Sequence, residues 1–151
     1  MEHLVYCDVK SGVLAKLLDG SKTKIIRGAA GRKLPHSRVN VGEKLYLVEN
    51  DGSLQVKATA IVKNFFNSEK LMPEETEKIL EDNEKELNLS KEQYKRWSSK
   101  KYLCIVEVEN VQLLETPLIY RRDKNMDDWL IVEHIEDILE GSDKEYKNLR
   151  L

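Results

Sequence analysis

The chain is poor in the residues that mark secreted, metal-bound or membrane-spanning proteins. It has only two cysteines, Cys7 and Cys104, far apart inside apolar, strand-like runs and without C-x-x-C spacing. That placement argues for reduced core thiols rather than a disulfide or a metal site. The three histidines, His3, His36 and His134, are equally scattered, so no metal ligand motif is present. No apolar run approaches the roughly 18 residues of a spanning helix. The segment from Met1 to Cys7 has neither a basic start nor a long apolar stretch, which predicts no signal peptide, a cytoplasmic location and no membrane partner. Neither a Ser-His-Asp nor a Cys-His arrangement is legible, the phosphate-loop pattern G-x-x-x-x-G-K-[ST] is absent, and no cofactor is expected.

What the chain does have is charge. Of its residues 34% are charged and 40% hydrophobic, a globular balance. Its 151 residues suit one domain with a real core. We read residues 1–141 as that domain and 142–151 as a polar tail. The charge is segregated. Between Ser21 and Arg38 stand Lys22, Lys24, Arg27, Arg32, Lys33 and Arg38 with no acid among them, although the whole chain carries −2. From Pro73 to Leu87 seven acids face two lysines. One-signed charge beside a flexible loop is a means of attracting phosphate or another anion.

Periodicity supplies the elements. His3 to Val9 reads as a strand. Val13, Leu14, Leu17 and Leu18 share a helical face, and Gly20 is placed to stop that helix. Strands are predicted over Lys24–Arg27 and Lys44–Glu49, with Asp51-Gly52 turning the chain into Gln55–Lys63. In the last of these Val56, Ala58, Ala60 and Val62 alternate with polar residues, so one face meets a core. Pro73, Glu74 and Glu75 open a helix, and Ser90 with Gln93 has capping-box spacing for another. The helical segment spans about 73–100. Tyr102–Val111 reads as the longest strand, Leu113–Tyr120 as a separate one weakened by Pro117, and Glu133–Glu140 as a short helix. The sum is an α+β domain on a small antiparallel sheet or barrel.

Gly20-x-Lys22-x-x-Ile25-x-Arg27 resembles the G-x-K-x-x-E-x-R signature of the ASCH domain, a PUA-like family. It follows an apolar helix and opens a strand, as the signature does, with Ile25 standing where the signature has glutamate. Val39-x-Val41-Gly42-Glu43-Lys44-Leu45 looks like the family's next element. The resemblance implies a small, mostly antiparallel PUA-like β-barrel with peripheral helices, whose cleft binds RNA or a nucleotide-like ligand. Some relatives are small hydrolases of acylated cytidine that use a lysine, a threonine and a glutamate; others are reported as ribonucleases. The lysine carries over to Lys22, which is the catalytic candidate if the chain is an enzyme. The threonine position is again Ile25, and Glu84 or Glu86 is a candidate for the glutamate.

The expected anion site therefore comprises Lys22, Thr23, Arg27, Gly28, Gly31, Arg32, Lys33, His36 and Arg38. The small residues from Gly28 to Gly31 would let backbone donors approach a phosphate. Trp129 is a candidate for stacking on a base, as are Trp97 and Tyr94, each against the alternative of packing as a core or lid residue. The competing account of the basic stretch is ion pairing, either with the acidic helix or with Asp127 and Asp128. A third account is a protein-interaction module whose patch meets an acidic partner or a second copy.

Overall fold

The computed structural model describes residues 1–122 and 127–144. The expected tail therefore lies outside the described residues from position 145 onward, as do Asn125 and Met126 ahead of Trp129. Six strands form one sheet: β1 (Glu2–Cys7), β2 (Lys24–Ala29), β3 (Lys44–Glu49), β4 (Gln55–Asn67), β5 (Tyr102–Ile119) and β6 (Trp129–Val132). Their order is β2-β5-β4-β3-β1-β6. β1 and β3 run parallel, and the other four pairings are antiparallel. The result is a curled, mixed half-barrel. Of the small, mostly antiparallel barrel implied by resemblance, the structure has a half-barrel in which β2 and β6 stand at opposite ends of the ladder. An open edge matters here, because β2 carries Ile25 and Arg27 of the signature and follows Lys22.

The first helix, α1 (Val13–Asp19), ends where expected, with Gly20 at φ 82°; that left-handed turn suits a residue with no Cβ. Its residues Val13, Leu14 and Leu17 pack on Leu45, Leu47, Ala58 and Ala60 of the sheet. A fully buried leucine of this kind contributes about 1.5–3 kcal/mol. Three helices occupy the segment expected to be helical: α2 (Pro73–Asp82), α3 (Glu84–Leu87) and α4 (Lys91–Ser98). Leu80, Leu87 and Trp97 from these helices close over Ile26, Leu103 and Ile105 of β2 and β5. The capping box at the start of α4 forms as its spacing predicts, with Gln93 N donating to Ser90 Oγ at 3.2 Å and Ser90 N donating to Gln93 Oε1 at 3.3 Å.

Two expectations are corrected. Tyr102–Val111 and Leu113–Tyr120 are one continuous strand, β5, because the exposed Pro117 lies where β5 pairs with β4 near Val56 and Leu118 without ending the ladder. The helix expected over Glu133–Glu140 is a single 3-10 turn, Ile135–Ile138. It is preceded by β6, whose four residues Trp129, Leu130, Ile131 and Val132 are all buried. A short run buried on both faces shows no alternation to read.

Candidate functional site

The signature stretch unites two of its cations and sends the rest elsewhere. A cleft of about 410 Å³ is lined by Lys22, Ile25, Ile26 and Arg27 of the signature, and by Tyr6, Asp8, Glu49, Asn50, Tyr120 and Asp128 from the sheet ends and loops. Gln93, Arg96 and Trp97 of α4 and the exposed Arg122 complete the wall. The volume falls in the range of small-ligand sites, on the order of 300–1,000 Å³. Four cations thus share the cleft with three carboxylates.

Lys22 is the buried one, at 2% exposure. Its Nζ donates to the Leu87 carbonyl at the end of α3, and Lys16 Nζ donates to the neighbouring Asn88 carbonyl at 3.0 Å. Carbonyls at a helix C-terminus lack intrahelical donors and carry partial negative charge, so they seat ammonium groups well. No carboxylate lies within 4 Å of Lys22 Nζ among the described residues. Burial is the main reason that the ammonium is pulled down to about 7, with repulsion from Arg27 and Lys16 adding to it. A lysine in this state takes up a proton readily when an anion arrives.

Arg27 is already engaged. Its Nη2 donates to the Tyr6 carbonyl at 2.6 Å and its Nη1 to the Ile26 carbonyl at 2.9 Å. Its Nε lies 3.2 Å from Asp128 Oδ2, an ion pair without the alignment of a hydrogen bond, since Nε has no hydrogen-bond partner. The guanidinium also sits over the Trp129 ring, 5.6 Å from its centroid. Arg27 therefore ties β2 to β1 and to the segment entering β6. Arg96 stacks on Trp97 at 4.5 Å and reaches Asp128 at 4.0 Å. The other two carboxylates have their own donors: Glu49 pairs with Lys57 at 3.0 Å, and Asp8 accepts from Ser11 Oγ at 3.0 Å.

The remaining expected site residues lie outside this cleft. Arg32 pairs with Glu69 at 2.7 Å and sits over the Tyr102 ring; Lys33 lies 3.7 Å from Asp127. Of the pairing accounts, the one through Asp127 and Asp128 holds, with Glu69 added, whereas α2 supplies no ion pair to the basic stretch among the described residues. Lys24 bonds Asn83 Oδ1 at 2.8 Å on the far face of β2. Arg38 is exposed. His36 is buried as a structural group, its Nε2 donating to the Ser68 carbonyl at 2.7 Å and its Nδ1 accepting from Ser37 Oγ at 2.8 Å. Thr23 is held by its backbone, its N–H donating to the Glu86 carbonyl at 2.9 Å.

Gly28 is a packing position. A Cβ there would come within 2.9 Å of Leu103 Cδ2 and 3.0 Å of Lys100 Cβ. Gly31 has open space around it. Trp129 is fully buried, and its Nε1 donates to His3 Nδ1 at 3.0 Å, so it offers no face to a base. Neither Glu84 nor Glu86 lines the cleft, and Ile25 is buried in the core. Sequence reasoning missed Tyr6, Asp8, Glu49, Arg96 and Arg122 as cleft residues; no spacing joins them, since they arrive from separate elements.

With this geometry in place, solved structures give the class. The ASCH protein of Zymomonas mobilis and two single-residue variants of it match at 13% identity with TM-scores of 0.59 to 0.60. The matches cover 78% of this chain and 73–75% of that protein. The chain shares the fold of these ASCH proteins. No family model and no curated protein sequence matches it.

Proposed function

We propose that the protein binds RNA or a nucleotide through the cleft around Lys22. The observation that carries this reading is a buried ammonium with no carboxylate partner among the described residues, in a cavity of ligand size. Burying a charge without a counter-charge is costly, and a phosphate oxygen would supply what is missing. The ASCH-type fold supports the same reading, as does the surplus of cations over carboxylates in the cleft. Arg122 and Arg96 at the rim would steer the anion inward. Titration of UMP and of a short single-stranded RNA into the protein tests this. Binding should weaken as salt rises and weaken about 10- to 100-fold in Lys22→Met; absence of binding to either at low salt would refute it.

A second reading is hydrolysis in the same cleft, of acylated cytidine or of RNA. It is favoured by one observation: a lysine drawn down to about 7 is matched to proton transfer near neutrality. Turnover of acylcytidine or labelled RNA by the wild type, abolished in Lys22→Ala, is its signature. Intact substrates after incubation with wild-type protein would remove it.

A further inference from the structure

α4 and the turn after it carry a second excess of positive charge, separate from the signature. From Lys91 to Lys101 stand five cations and one acid, Glu92. The helix turns its aromatic residues inward, with Tyr94 and Trp97 packed among Ile26, Leu80 and Leu103. Lys91, Lys95 and Arg96 are left exposed. α2, whose Leu80 shares that apolar cluster, carries five acids against Lys78. The two helices could neutralise one another, yet among the described residues no ion pair joins them. Of the five cations only Arg96 has a carboxylate within reach among the described residues, Asp128 at 4.0 Å. A helix C-terminus supplies about half a negative charge, which offsets little of Lys95, Arg96 and Lys100 together. Position ties this charge to the cleft. Arg96 lines the cleft, and Lys95 precedes it on the exposed side of the helix. Lys100 Cβ and Cγ lie 3.0 Å from where a Cβ on Gly28 would stand, so its stem crosses β2 one residue beyond Arg27.

Resting on the reading of the cleft as a nucleotide site, we propose that the ligand is a single-stranded RNA chain rather than a free nucleotide. One nucleotide occupies the cleft, and the adjoining phosphates of the strand leave past Arg96 over Lys95 and Lys100. A nucleic-acid backbone carries a charge at every nucleotide, and cations that neutralise it gain affinity by releasing its counterions. Lys95 and Lys100 have no carboxylate to give up before they can do so. Contacts of this kind position a strand and carry no sequence information, so the track adds affinity and leaves base preference to the cleft. A mononucleotide, with all of its charge inside the cleft, would draw nothing from either lysine.

The test titrates UMP and 5′-phosphorylated hexauridylate into wild type and into Lys95→Gln with Lys100→Met. Methionine keeps the stem packed over Gly28 and removes only the charge. Wild type should bind hexauridylate about tenfold tighter than UMP, with a salt slope steeper by about 1.4 for two added phosphate contacts. The double variant should lose about threefold to tenfold of the hexauridylate affinity and that added slope, with UMP affinity unchanged. Equal wild-type affinity for both ligands would overturn the proposal and leave the cleft reading standing. So would a variant that binds hexauridylate as tightly as wild type does, or one that weakens UMP to the same extent. If wild type binds neither compound, both readings fall. Hexaglutamate bound as tightly as hexauridylate would assign this surface to an acidic protein and overturn the RNA track. Should the double variant fail to fold, Lys95→Gln alone decides: hexauridylate affinity should fall about twofold with UMP unchanged, and no fall would overturn the proposal.

Discussion

The cleft and the loop that follows it are both rich in cations, yet their charges stand in opposite conditions. In the loop, Arg32 and Lys33 are mostly exposed and sit beside Glu69 and Asp127. Such surface pairs are typically worth about 1 kcal/mol or less, and they leave little unmet demand for an anion. In the cleft, Lys22 is buried, held by the Leu87 carbonyl and without a carboxylate among the described residues. A count of positive residues hardly separates the two, with three in the loop and four in the cleft. The physical cost of each charge does separate them, because desolvation rather than number makes a cation want a partner.

The largest expected effect sharpens that contrast directly. Lys22→Met should weaken UMP binding by about 10- to 100-fold, the range of a lost charge-assisted hydrogen bond. Folded stability should hold or rise, because an apolar chain of similar length replaces a buried charge. Calorimetric titration and thermal melting check the two halves. Next in size is Arg27→Met, which removes the donors to the Tyr6 and Ile26 carbonyls. It should cost about 2–3 kcal/mol in denaturant unfolding, since the Tyr6 bond ties β2 to β1 and the Ile26 carbonyl loses its side-chain donor. Arg27 thus breaks the frame where Lys22 breaks the ligand seat.

pH separates the two regions next. The folded state holds the Lys22 ammonium at about 7, below its ordinary 10.5. Between these values the unfolded chain binds the proton and the folded chain does not, so Lys22 makes stability rise with pH in that window. A bound phosphate favours the charged ammonium, so affinity should fall as pH rises above about 7, roughly tenfold between about pH 6 and 8. Melting and titration across pH should therefore move in opposite directions, and Lys22→Met should flatten both trends. Smallest of all, Arg32→Gln with Lys33→Gln should change UMP affinity less than about twofold. A larger loss would move the site into the loop.

Much of the frame was legible because its signals are local. Gly20 ends α1, Ser90 and Gln93 cap α4, and the alternation of Val56 through Val62 names the core face of β4. β6 was not legible, because four buried residues in a row carry no period. The likeness of Gly20, Lys22 and Arg27 to the ASCH signature located half of the cleft. Ionic partnership was beyond reach: Arg32 meets Glu69 from 37 positions away, and Arg27 meets Asp128 across most of the chain. The sequence shows the sign of a charge and leaves its desolvation to the fold. Lys22 and Arg32 look alike as letters, and only packing against α3 distinguishes them.

Proton uptake on binding is the most direct test of the buried ammonium as an anion seat. UMP titrated into wild-type protein at about pH 8, in two buffers of different ionisation heat, reports the protons taken up per ligand bound. The account predicts uptake approaching one proton, abolished in Lys22→Met. Binding with no proton uptake in the wild type would contradict it.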